Sequence, residues 1–274
     1  MKIRHLPLSA VLAIMCASAP AAFGQLIISH RGASHDAPEN TLAAYKLAIA
    51  QGADGFEGDY WLGAGGHVLC LHDADTKRVA GTKLSITKAP FKQLRALDIG
   101  SWKDPKWHAE RIPTLEECLA AVPAGKTFFV ELKSGPEVVG PIARVIANSS
   151  VSPDQIVFIS FHDDAIAECK KQMPHIKALW ICGFKKKKDS DKAPPTAEEV
   201  AATIKRIHAD GLDGEAVPEY VDAAFIKRLN ELGCKEFSVW TVDDAKVAKF
   251  YADLGAWSIT TNRPEWLRAK LSGK

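Results

Sequence analysis

Little in this chain offers a disulfide or zinc framework. Its six cysteines are widely scattered and no two have CxxC spacing, so neither a stapled small scaffold nor a zinc ribbon is expected. Cys70, Cys118, Cys169, Cys182 and Cys234 read as small buried apolar residues, with one disulfide among them left open. An excess of one charge sign is also missing, since 35 Lys and Arg face 33 Asp and Glu. Setting Lys2 and Arg4 aside with the leader described below makes the rest neutral, which gives no support to nucleic acid or an anionic membrane as the partner. The apolar run Leu8 to Ala17 is too short to anchor the chain in a bilayer. No GxGxxG follows the first strand, which removes the dinucleotide-binding reading.

The early apolar run has another use. Lys2, Arg4 and His5 precede it, and Ala22-Phe23-Gly24 places small residues where a signal peptidase reads. Residues 1–24 are therefore expected to be a signal peptide cleaved near Gly24-Gln25, leaving a soluble protein that is secreted and periplasmic. Met15 is too large to make Cys16 a lipoprotein site.

From residue 25 onward, short apolar runs alternate with helical patterns. Leu26 to Ser29 reads as a buried strand, and Pro38 opens a helix ending at Gly52. Phe56 to Leu62 reads as a strand that turns at Gly63, Gly65 and Gly66 and returns over His67 to Leu71. Residues 74–113 lose periodicity and read as an inserted lobe with a short helix near Phe91 to Leu97. Regular alternation resumes at Thr114 and runs to Leu271, which with the two strands before the lobe makes eight strand-helix units. That pattern predicts an α/β fold with a parallel sheet, closed at this length into a (β/α)8 TIM barrel with a small inserted lobe after the second strand. An open doubly wound sheet is the competing architecture.

In such a barrel the working groups sit at the C-terminal ends of the strands. Those ends carry His30 and Arg31, Glu57 and Asp59, His72, Glu131 and Lys133, Ser160 to His162, and Trp240. Period-two alternation puts Glu57 and Asp59 on one face. Adjacent acids repel unless a cation neutralises them, so a hard divalent metal, calcium or magnesium, with Glu131 as third oxygen ligand is the economical reading. Arg31 and Lys133 add positive charge, and His30 and His72 suggest a proton donor and acceptor pair. Together these groups describe a site for an anionic phosphate ester. Each piece has a bland reading too: Glu131 and Lys133 as a salt bridge, Trp240 as core, Ser160 and His162 as hydrogen-bonders, Lys185 to Lys188 as a solvated loop.

The ordered set His30-Arg31-Gly32, Pro38-Glu39-Asn40-Thr41, Glu57-x-Asp59, His72-Asp73, Pro113-Thr114-Leu115, Glu131-Leu132-Lys133 and Trp240-Thr241-Val242 resembles the glycerophosphodiester phosphodiesterase family. The resemblance covers 25–274 and implies a single phosphodiesterase barrel domain. It implies metal ligation by Glu57, Asp59 and Glu131, acid-base work by His30 and His72, phosphate binding by Arg31 and Lys133, and Trp240 on the alcohol side. Departures are Gly58 where a branched apolar residue is commoner, Tyr60 where a small one is, Gly63-Ala64-Gly65-Gly66 in the turn, and Asn262 where aspartate is frequent. The expected activity is metal-dependent hydrolysis of a small-molecule glycerophosphodiester to glycerol 3-phosphate and an alcohol. The alternatives are a phosphodiesterase or phospholipase D-like enzyme acting on lysophospholipids, and a catalytically silent barrel that binds a phosphorylated ligand.

Overall fold

The computed structural model describes residues 24–185 and 193–273. The expected leader, apart from Gly24, and Lys186 to Lys188 lie outside the described residues. Nine strands and ten α-helices follow in order among them: β1 (Leu26–Ser29), α1 (Leu42–Ala50), β2 (Gly55–Leu62), β3 (Val68–Cys70), α2 (Lys77–Ala80), α3 (Phe91–Arg95), α4 (Leu115–Ala120), β4 (Thr127–Leu132), α5 (Val139–Ala147), β5 (Ile156–Ser160), α6 (Asp163–Gln172), β6 (Lys177–Cys182), α7 (Ala197–Arg206), β7 (Gly211–Glu215), α8 (Ala223–Glu231), β8 (Phe237–Trp240), α9 (Ala245–Asp253), β9 (Ser258–Thr261) and α10 (Pro264–Leu271).

Eight of the strands pair in parallel and close on themselves through β1, which meets β9 on one side and β2 on the other. This is the (β/α)8 barrel that the alternation predicts. β3 is a ninth strand, hooked antiparallel onto the outer end of β2. Its few residues carry the chain from the barrel mouth into the inserted lobe, which returns where the Cys70 amide donates to the Pro113 carbonyl.

Two apolar layers hold the barrel. Ile28, Phe129, Val157, Ile159, Leu179 and Ile181 form one buried cluster of strand side chains. Phe56, Tyr60, Phe128 and Phe158, from the alternate strand positions, pack with Tyr45 of α1 and Ile142 of α5. At about 1.5–3 kcal/mol for each large apolar side chain removed from water, these layers supply most of the driving force. Helix starts are fixed by side chains: Thr114 with Glu117 and Thr196 with Glu199 form capping boxes, each cap contributing about 1 kcal/mol. The lobe has its own small core of Leu71, Val79, Ile86, Leu94 and Ile112. α2 is a single helical turn that no periodic pattern announces, because four residues are too few to show one.

Candidate active site

β1 ends at the barrel mouth with His30 and Arg31. Arg31 has φ 56° and Gly32 φ 78°, a left-handed pair that is uncommon for a residue with a side chain. A Cβ on Gly32 would lie 2.6 Å from Ala44 of α1, so only glycine fits. The turn points the Arg31 amide at Glu57 Oε2, 2.8 Å away. The Arg31 guanidinium donates to Glu39 Oε1 at 3.0 Å and lies 3.4 Å from Asp59.

Glu57 and Asp59 do share one face of β2, and Asp59 is the register partner of Glu131 on β4. All three carboxyls are buried, and one oxygen from each lies within 4.8 Å of the others. Burial, then Asp59 and Glu131, pushes the Glu57 carboxyl well above its usual range. Burial and Asp59 push Glu131 up to about 7. Asp59 goes the other way: burial opposes its charge, but Lys133 and then Arg31 hold it ionised. Lys133 Nζ sits 2.8 Å from Glu131 Oε1 and 3.2 Å from Asp59 Oδ1. Glu57 Oε1 is buried without a hydrogen-bond partner, and Asp59 Oδ1 has only the Lys133 ammonium beside it. Three mutually repelling carboxyls, one with an orphaned buried oxygen and none accompanied in the cluster by a nitrogen or sulfur donor, suit a hard cation such as calcium or magnesium.

The two histidines stand in different surroundings. His30 Nδ1 lies 2.8 Å from Asn262 Oδ1. The Asn262 amide is oriented by its Nδ2, which donates to Asp243, while its Oδ1 also accepts from Ser34. An oxygen therefore faces Nδ1, so Nδ1 carries the proton and Nε2 the lone pair. Burial and the neighbouring Arg31 lower the His30 pKa to about 4. His72 Nδ1 instead donates to Asp73 Oδ1 at 2.7 Å and keeps a third of its side chain exposed.

Behind these groups stand residues to which the sequence reading assigned no role. Asn40 is buried at φ 57°, and its Nδ2 donates to Asp59 Oδ2 at 2.7 Å. Its Oδ1 accepts from the Tyr45 hydroxyl at 3.3 Å, and that hydroxyl also meets Cys70 Sγ at 3.0 Å. Gly58 explains itself here: a Cβ would lie 2.1 Å from the Tyr45 hydroxyl. The absent side chain is replaced by the ring that reaches Asn40. Arg78 of α2 donates to both Glu39 oxygens at 2.8 Å and to Asp73 Oδ2 at 2.7 Å. The motif Pro38-Glu39-Asn40-Thr41 signalled two of these residues; Arg78 carried no signal.

His30, Arg31, Glu57, His72, Glu131, Lys133 and Trp240 line one pocket of about 150 Å³, with Ile159, Phe161, Ile181, Asp213 and Thr260 completing its walls. Asp59 supports it from beneath through Arg31 and Lys133. The Phe161 ring meets Trp240 edge-on at 5.6 Å. Ser160 takes its bland reading, since its hydroxyl donates to the Leu132 carbonyl and accepts from the His162 amide. A larger groove of about 540 Å³ beside α4 and α5 is lined by helix-surface residues such as Glu116 and Arg144 and holds no converging titratable cluster.

The description of the glycerophosphoryl diester phosphodiesterase family matches residues 30–266. A glycerophosphodiester phosphodiesterase of Caldanaerobacter subterraneus subsp. tengcongensis is 30% identical over 254 residues, covering 88% of this chain and 96% of the relative. Among solved structures, an Oleispira antarctica phosphodiesterase in complex with the product sn-glycerol-3-phosphate superposes with a TM-score of 0.80 at 24% identity, covering 91% of this chain and 98% of the other. A glycerophosphodiester phosphodiesterase from Agrobacterium tumefaciens gives 0.72 at 22% identity, over 89% and 99%. At such identities the structural likeness speaks for the fold.

Proposed function

The chain belongs to the glycerophosphoryl diester phosphodiesterase family and is a phosphoric diester hydrolase, and we propose that it cleaves glycerophosphodiesters to glycerol 3-phosphate and an alcohol. In this reading Glu57, Asp59 and Glu131 hold one calcium or magnesium ion, and His30 and His72 transfer the protons. The observation that carries it is the convergence of both histidines, two of the three acids, Arg31 and Lys133 on one small pocket, with the third acid 3.2 Å from Lys133. A neighbour in fold binds sn-glycerol-3-phosphate as product, which supports the substrate class.

When bound, the cation supplies Lewis-acid polarisation and neutralises charge on the phosphate. Arg31 and Lys133 hold the phosphate oxygens, Arg31 being braced by Glu39. His30, neutral and with a bare Nε2, takes the proton from the attacking oxygen. His72, oriented by Asp73, gives a proton to the departing alcohol. Trp240 and Phe161 offer apolar faces to the carbon skeleton. The leader read over residues 1–24 supports an exported, periplasmic enzyme; finding the full-length chain in the cytoplasm would overturn that part alone.

The test is release of glycerol 3-phosphate from glycerophosphocholine by the 25–274 chain, after chelation and again with calcium or magnesium restored. Activity lost and recovered supports the whole reading. A folded, metal-loaded protein that leaves glycerophosphocholine intact but cleaves lysophosphatidylcholine would move the substrate to lysophospholipids.

A further inference from the structure

β7 carries two acids two residues apart, Asp213 and Glu215, which therefore share a face. Their fates differ. Glu215, the outer one, is fully engaged: Oε2 accepts the Phe184 and Lys185 amides at 2.9 Å, and Oε1 pairs with Lys185 Nζ at 2.7 Å. Asp213, one layer deeper, is 1% exposed, and its Oδ1 has no hydrogen-bond partner among the described residues. It lines the same pocket as His30, His72 and Lys133. Neither register partner hydrogen-bonds it: Ile181 has no polar side chain, and the Ser238 hydroxyl is engaged as acceptor from Ser258 at 2.8 Å.

Buried polar groups in folded proteins are almost always satisfied. A carboxyl kept unsatisfied in the wall of a ligand pocket points to satisfaction by the ligand. The ligand group must be one that a carboxyl can pair with and that a phosphate ester carries away from its phosphate. Arg31 and Lys133 already serve the phosphate. What remains is the alcohol portion, and Trp240 frames that side, its indole N–H donating to the Asp213 carbonyl at 3.0 Å. A carboxyl accepts from a hydroxyl whether or not it carries a proton, and burial and then Glu131 push the Asp213 carboxyl well above its usual range, which disfavours the full charge that pairing with an ammonium would use.

We propose that Asp213 is a specificity residue that hydrogen-bonds a hydroxyl of the substrate's polyol portion. The proposal rests on the phosphodiesterase reading above and adds the residue that distinguishes a glycerol ester from a simple alkyl ester.

The test is a cycle of two proteins and two ligands, measured by calorimetry on the metal-loaded chain: native and Asp213→Leu, each with glycerol 3-phosphate and with propyl phosphate, which lacks the hydroxyls. Losing one such bond should weaken glycerol 3-phosphate by roughly 10- to 100-fold in Asp213→Leu, while propyl phosphate binding stays within about twofold and reports that the pocket is folded. Asp213→Asn, which keeps the shape and a hydrogen-bonding group, should retain most of the preference. A preference for glycerol 3-phosphate that survives in Asp213→Leu overturns the assignment and leaves the proposed function standing. So does a native protein that binds propyl phosphate as tightly as glycerol 3-phosphate, a result that needs no variant. A loss confined to choline phosphate, added as a third ligand, overturns it in favour of a cation-reading carboxylate. A native protein that binds none of the three phosphate esters removes the proposed function and this assignment together.

Discussion

Replacing Asn262 by aspartate should convert the proposed base, His30, from one that is neutral in all but strongly acidic solution into one that titrates within the working range. His30 is held near pKa 4 by burial and by Arg31, and its Nδ1 donates to a neutral amide oxygen at 2.8 Å. A carboxylate at that distance stabilises the imidazolium, and opposite charges this close shift a pKa by about 1–3 units. The His30 value should therefore rise to between about 5 and 7. A base must be unprotonated to act, so the acid limb of the kcat/KM profile should move up by the same amount, and at pH 5 activity should fall by up to about 100-fold. The single variant has a flaw that the structure exposes. Asn262 Nδ2 donates to Asp243 Oδ2 at 2.6 Å, so an aspartate there would face a second carboxylate and share its proton. The reciprocal pair Asn262→Asp with Asp243→Asn restores that donor and should show the larger shift. An acid limb that stays in place in the double variant would refute His30 as the base whose protonation limits turnover.

Four further outcomes are expected. His30→Ala and His72→Ala should each lose roughly 10²- to 10⁴-fold in kcat with unchanged circular dichroism; near-normal turnover in both removes the acid-base reading. Glu57→Gln should abolish calcium or magnesium binding by calorimetry while the protein stays folded, because it takes a charge from the cluster at the carboxyl whose Oε1 has no other partner; undiminished affinity would place the ion elsewhere. Arg78→Ala, distant from the reacting atoms, should lower kcat more than it raises KM, because it frees both Glu39 behind Arg31 and Asp73 behind His72; Arg78→Lys cannot span both acids and should recover little, and full activity in Arg78→Ala would sink the positioning role. Gly58→Ala should destabilise by about 1–3 kcal/mol in urea unfolding through overpacking against Tyr45, and less in a Tyr45→Phe background, which takes away the clashing hydroxyl; equal losses in both backgrounds would contradict the packing argument.

The barrel was legible because strand and helix patterns alternate with few interruptions from Thr114 to Leu271, and because an acid pair at period two has only one way to face. The lobe was legible as a gap in that alternation. What stayed hidden has a common physical cause. Asn262 reaches His30 across 232 residues, and nothing local tells an asparagine that orients a histidine from one that caps a turn. Asp213 sits in Gly-Leu-Asp-Gly-Glu, a strand whose glycines make it look weak and whose acids look like solvent-facing charges. Arg78 lies in a single helical turn, and the pairing that matters, to Glu39 and Asp73, is made across the mouth. Gly58 read as a departure from the family pattern because the compensating group, Tyr45, is on another element.

In the proposed mechanism the partners of the two histidines fit two identical side chains to different roles. An imidazolium carries a charge that a carboxylate beside Nδ1 compensates more fully than a neutral amide oxygen does. At His30 burial and the adjacent Arg31 oppose a positive charge, and the Asn262 amide oxygen offsets them only in part. His72 has Asp73, and Asp73 keeps its own charge because Arg78 donates to it, burial alone opposing that charge. Arg78 stabilises Glu39 as a carboxylate in the same way, which in turn braces Arg31. One arginine in the lobe thus supports the charge next to His72 and the cation next to His30. The lobe, which contributes no group to the carboxylate cluster, is bound to the mouth of the barrel by the same Arg78 contacts that stand behind the proposed acid and the proposed base.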